Sequence, residues 1–207
     1  MKKHLSFLFV AVAVAIACTR NASAATTAGL GAAGLGADVL SLPGIHATVT
    51  TGTVAMAVRR GNSIGAISEF MGSGNGIRLD GATATLGYSP ARNGAIALMP
   101  ELRIGMLSVV GQGYSGASTG SVLGGLAVVD QANPLVAYDF EALAGDTFAA
   151  DSSAGAGSGR AYKVGVGVSE SLTQRVTLTE RYTDSRLTVG GGAIVDHSTT
   201  IAVADRF

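Results

Sequence analysis

Cysteine, tryptophan and lysine are the scarce residues in this chain of 207. Cys18 is the only cysteine, there is no tryptophan, and beyond residue 24 the only lysine is Lys163. A lone cysteine can form no disulfide within the chain, and if Cys18 leaves with an export signal, thiol catalysis and cysteine-ligated metal are excluded as well. His46 and His197 stand too far from other ligand types to suggest a metal site. Setting aside Lys2, Lys3 and Arg20 leaves eleven basic against fourteen acidic residues, the wrong balance for a nucleic-acid partner. After the first 24 residues no continuous apolar run approaches the roughly 20 residues of a spanning helix. Yet mean hydropathy is +0.40 and 47% of residues are hydrophobic. High hydropathy without such a helix fits strands that hide their apolar residues in alternation. A membrane barrel does this, and so does a soluble secreted β-sandwich.

The first residues read as an export signal. Lys2 and Lys3 give a positive start, Leu5 to Ala17 is a short apolar run, and Ala22-Ser23-Ala24 is a small-x-small cleavage site. Cleavage there puts the signal peptide at 1–24 and a single domain at 25–207, beginning at Ala25. Ala15-Ile16-Ala17-Cys18 offers a lipoprotein alternative, with Ala15 where a larger aliphatic is usual.

Three runs near the end alternate apolar and polar residues: Tyr162 to Val168, Val176 to Tyr182, and Thr199 to Phe207. Period two means strands whose faces meet different surroundings. Working backwards, strands are expected near 196–207, 174–184, 161–171, 134–145, 119–130, 101–112 and 78–89. Ser63 to Met71, Thr48 to Val58 and Gly29 to Val39 could add three more. The connections sort by length. Ser171 to Gln174 and Asp130 to Pro134 are tight, whereas Asp146 to Arg160 and Ser185 to Val195 are long. Short turns at one end and long loops at the other predict an all-β, closed antiparallel transmembrane barrel, with turns in the periplasm and loops outside the cell. The segment 25–60, rich in Gly, Ala and Thr, carries little signal, and Pro90 to Pro100 is long for a periplasmic turn.

From Pro134 onward the chain resembles the small outer-membrane β-barrels related to OmpA and the opacity proteins. The parts are Pro134-Leu135-Val136-Ala137-Tyr138, the Gly-rich strand Val164 to Val168, the Leu172-Thr173 turn, Val176 to Asp184, and Ile201 to Phe207. Asp205 departs from the aromatic usual two residues before the end. The resemblance implies eight strands, with ten as the alternative from the strand count. It also implies an outer-membrane location, contact with outer-membrane lipids, no cofactor, and a terminal Phe207 read by the barrel-assembly machinery.

Alternation also assigns the inward face. If Leu102, Ile104 and Met106 face lipid, Arg103 faces the lumen. By the same rule Asp139, Glu141, Lys163, Arg181 and Arg206 point inward. Acids and bases from different strands would then meet in a narrow barrel, where they must pair. The expectation is a plugging network, with an ion path as the alternative. Glu180 is awkward, because strict alternation turns it outward unless a bulge intervenes.

Two enzyme-like motifs compete with this reading. Gly29-Leu30-Gly31-Ala32-Ala33-Gly34 matches a dinucleotide fingerprint but lacks a preceding strand. Asp196-His197-Ser198 holds hydrolase residue types without identifying spacing. The function expected is therefore a structural or surface-interaction protein with exposed loops and an unidentified surface ligand, not an enzyme. A small porin is the alternative, and a lipid-modifying barrel is a more distant one.

Overall fold

The computed structural model describes residues 27–89, 95–111, 114–149, 157–189 and 192–206. The export signal and Phe207 lie outside them. Ten strands follow in order: β1 (Thr27–Leu42), β2 (Ile45–Arg60), β3 (Ser63–Gly74), β4 (Ile77–Tyr88), β5 (Ile96–Gly111), β6 (Tyr114–Gln131), β7 (Val136–Ala149), β8 (Ser158–Ser171), β9 (Val176–Val189) and β10 (Gly192–Arg206). Each pairs antiparallel with its sequence neighbour, and β1 pairs with β10 to close the barrel. The barrel thus has ten strands, not eight. The extra pair comes from the quiet front segment: Gly29 to Val39 and Thr48 to Val58 sit inside β1 and β2, which pair along their whole length.

A row of hydrogen-bonded partners that leaves β1 at Gly29 runs once round the wall and returns to β1 at Ser41, twelve residues further on. That stagger tilts the strands by about 40° from the axis. About 14 residues per strand, at ~3.3 Å each, then give a wall roughly 35 Å tall. This exceeds the ~25 Å apolar band of an outer-membrane barrel by roughly 10 Å, room for a polar rim of about 5 Å at each end.

The connections do not sort as expected. At the end away from the termini the strand bounds leave two residues at 43–44, 75–76, 112–113 and 190–191, and eight at 150–157. At the other end they leave two at 61–62, seven at 89–95, and four each at 132–135 and 172–175. Ser185 to Val195 is therefore mostly strand rather than a long loop, and it extends β9 and β10. Asn75-Gly76 shows why such tight links hold. Both have positive φ, 50° and 75°, the geometry of the hairpin turn whose twist matches the flanking strands.

The register fixes which residues face outward. Leu102, Ile104, Val122, Leu126, Tyr138, Phe140, Val164, Val166, Ile201 and Val203 lie on the outer wall and are exposed. Most outward charges lie near the rims, Asp130, Glu170 and Asp205 at the termini end and Arg78, Asp80, Asp146, Arg160 and Arg186 at the far end, while Glu69, Glu180 and Asp184 face outward between them. An apolar belt between two charged rims is what a wall in contact with hydrocarbon requires. Glu180 faces outward and is exposed, as alternation demands, with no register shift in its pairing to Val168 or Ile201.

Candidate functional site: the lumen

Five of the six residues assigned to a lumen charge network converge there. Arg103 from β5 makes a two-pronged contact with Glu141 from β7, Nη1 to Oε1 at 3.1 Å and Nη2 to Oε2 at 2.8 Å. Such paired N–H donors match a carboxylate in both charge and shape. Arg103 Nε also donates to Thr85 Oγ1 at 3.2 Å, which fixes the guanidinium plane. Lys163 Nζ from β8 lies 3.5 Å from Glu141 Oε1, and Arg181 Nη2 from β9 lies 3.1 Å from Oε2. Arg181 Nη1 donates to Asp139 Oδ2. Glu141 is thus the hub, touched by three bases, and its side chain is only 5% exposed.

Alternation explains the convergence. The odd-numbered positions of β5, β7, β8 and β9 all point inward, and the stagger of the wall carries positions 103, 141, 163 and 181 to similar depth.

One member was missed. Glu101, two residues before Arg103 on the same face, lies 3.4 Å from Arg103 Nη2, with 7% of its side chain exposed. The same period-two rule that turned Arg103 inward applies to it. With Glu101 the network holds three bases and three acids and is neutral. Arg206 does not join. It is exposed at the end of β10, where its backbone N–H donates to Arg175 O and its carbonyl accepts from Arg175 Nε. It faces inward by register, but at the rim it meets water rather than the acids.

Toward the end away from the termini the lining turns apolar. Leu40, Leu42, Ala47, Val49, Ile77, Leu79, Val109 and Ile194 form one buried cluster, with Ile45, Phe70 and Leu107 against it. Leu123, Leu143 and Ala161, with Leu187, form another across the lumen. Asp38 lies within this zone and accepts a 2.5 Å hydrogen bond from Thr51 Oγ1. Toward the termini the inward residues are small, among them Ala32, Ala55, Ala57, Ala66, Ala202 and Ala204. From far end to termini, the lumen is therefore an apolar layer, a charged layer and a lining of alanines.

The enzyme-like motifs fare differently. Gly29 to Gly34 lies within β1, bonded on both sides, so it forms no loop leading into a helix. In Asp196-His197-Ser198, alternation sends Asp196 and Ser198 into the lumen and His197 to the outer wall. There His197 Nδ1 sits 3.8 Å from Asp184 Oδ1 and 3.5 Å from the Tyr182 hydroxyl, so it cannot serve Ser198. Among the described residues no group of three or more metal-ligating side chains comes together.

No family model matches the sequence, and no curated protein matches it. Solved structures do. The chain is similar to Neisserial surface protein A at 14% identity and a TM-score of 0.51, over 87% of this chain and 99% of that one. It is similar to the outer-membrane protease OmpT from Escherichia coli at 9% identity and a TM-score of 0.50, over 87% and 96%. An outer-membrane channel from Pseudomonas putida F1 matches at 10% identity and a TM-score of 0.50, over 91% and 98%. The chain has the fold of the outer-membrane β-barrels. A surface protein, a protease and a channel all carry this fold, so it does not by itself assign a role.

Proposed function

We propose that this chain is a bacterial outer-membrane β-barrel with a closed lumen, serving a structural or surface-interaction role rather than forming an open pore. The apolar outer belt supports lipid as its surroundings. The observation that carries the role is the hub at Glu141. Three bases from three strands converge on one carboxylate at mid-depth, beneath a layer of packed apolar side chains. Ions crossing the lumen would have to part charges that hold one another in a medium of low dielectric. In this reading the termini lie in the periplasm, and Phe207 is part of the signal recognised by the assembly machinery. We assign contact with a partner outside the cell to the 150–157 connection on length alone, since the other far-end links span two residues each.

Two measurements test this. The chain should fractionate with the outer membrane and migrate faster on a gel unheated than boiled. In planar bilayers the folded protein should show no steady conductance. Regular single-channel steps would replace this reading with a small pore, and a soluble periplasmic product would overturn the membrane assignment.

A further inference from the structure

At the far end the β9–β10 hairpin parts from both of its neighbours. Its own strands stay paired as far as Val189 and Gly192. Its pairing with β8 ends at Ala161 and Leu187, although β8 runs on to Ser158 and β9 to Val189. Its pairing with β1 ends at Ser41 and Val195, although Leu42 and Ile194 continue both strands. Where the ladder with β8 would go on, the Thr188 side chain has taken the place of its backbone. The Arg160 N–H donates to Thr188 Oγ1 at 2.8 Å, and Thr188 Oγ1 donates to Arg160 O at 2.7 Å.

The Thr188 carbonyl, released from the ladder, turns into the lumen and accepts a hydrogen bond from Thr147 Oγ1 on β7. Thr147 lies opposite Gly159, so its hydroxyl reaches over β8 with no side chain in the way. A Cβ at Gly159 would collide with Thr188 O, so the turned-in position requires a glycine beneath it. Gly125 and Gly145 also lie against a neighbouring strand's carbonyl, but there the ladder runs on. The two arms of the hairpin carry apolar residues into both halves of the far layer. Leu187 packs against Leu123, Leu143 and Ala161, and Ile194 is buried in the cluster of Leu40, Leu42 and Val49.

We propose that this end of the hairpin, hinged at Leu187 and Val195, is a flap that closes the far mouth of the lumen and opens while the rest of the barrel stays paired. The proposal rests on the closed-lumen reading above and names its moving part. Opening breaks no ladder, because the flap has none with β8 or β1 beyond its hinges. Its hydrogen bonds to β7 and β8 run through Thr188, and returning the Thr188 backbone to the ladder would satisfy Arg160 without the hydroxyl. A segment held in this way opens locally, at a far smaller cost than unfolding the wall. Opening uncovers Thr147 and the apolar layer beside it.

Cysteine labelling of the folded barrel tests this, in a Cys18→Ser background. Thr147 is 1% exposed. Thr119 on β6 faces inward at nearly the same depth, is 2% exposed, and is paired with Leu107 and Ala149. A polar maleimide should label Thr147→Cys at least tenfold faster than Thr119→Cys. Adding Gly159→Ala, which drives the Thr188 carbonyl out of the lumen, should raise labelling at 147 a further tenfold and leave 119 unchanged. Thr188→Val, which removes the hydroxyl that holds Arg160, should act in the same direction and serves if the alanine variant does not fold. Equal rates at 147 and 119, or no response at 147 to either substitution in a folded barrel, would overturn the proposal. Conductance of the unsubstituted chain separates the failures. A silent bilayer with equal labelling refutes the flap alone, whereas steady channel steps refute the closed lumen and the flap with it.

Discussion

Two sides of one lumen are filled in different ways. On the β5, β7, β8 and β9 side, the mid-depth lining is Glu101, Arg103, Asp139, Glu141, Lys163 and Arg181, a neutral cluster held by ion pairs. On the β2 to β4 side it is Ala55, Ala57, Ala66, Ser68 and Thr83, where the Ser68 and Thr83 hydroxyls share a 2.7 Å hydrogen bond. Both sides obey the same alternation and close the same wall. Closure therefore depends on period-two patterning alone, and the contents of the lumen are a separate choice. The charged side gains a fixed geometry at the cost of desolvating six ions. The small-residue side avoids that cost and leaves its packing to the apolar layer beyond it.

If this contrast is right, the largest loss should follow removal of the hub. Glu141→Ala leaves Arg103, Lys163 and Arg181 facing one another without their shared anion. We expect destabilisation of about 3–5 kcal/mol in urea unfolding from lipid vesicles. Leu79→Ala probes the other side. Leu79 is fully buried in the larger apolar cluster, and its truncation should cost about 2–4 kcal/mol by the same measurement. A larger loss for Leu79 than for Glu141 would invert the comparison. Within the charged side, a double-mutant cycle on Arg181 and Asp139 should return coupling of roughly 0.5–3 kcal/mol, and an absence of coupling would remove that pair from the network. Arg206→Ala marks the boundary. At the exposed rim it should change stability by no more than about 0.5 kcal/mol, and a larger effect would mean that the network extends to the end of β10.

The same contrast governs how much could be read in advance. From Arg103 onward the strands carry large apolar residues on one face, so alternation told in from out, and Arg103, Asp139, Glu141, Lys163 and Arg181 lie together in the lumen. Glu101 follows the same rule, two residues before Arg103 on the same face, and was equally legible. In β1 and β2 the inward and outward residues are both often Ala, Gly or Thr. Alternation between residues of similar size and polarity gives little contrast, so those strands were only weakly marked, and eight, the number implied by the resemblance, was preferred to the ten that the strand count gave. Asn75-Gly76, a dipeptide that favours a tight hairpin through positive φ at both residues, went unread in the front half. The expected long loop at Ser185 to Val195 failed for another reason. Its polar residues lie on a wall near the rim, where Arg186 and Asp196 extend a strand instead of leaving it. Arg206 was read by its face alone, without its height on the wall.

The closing seam sets the order of assembly. Nine of the ten seams join strands that are neighbours in sequence, but Leu30 lies against Arg206. Bringing those ends together closes a loop of nearly the whole chain, about 3–4 kcal/mol dearer in entropy than closing one short hairpin. The seam is also tight, since a Cβ at Gly34 would come within 2.8 Å of Ile201 O. With the largest loop to close, this seam is expected to form last, and while it is open two unpaired strand edges are exposed at once. Added bulk at Gly34 would show itself chiefly in time, as a slow final closure during which those edges can capture other chains.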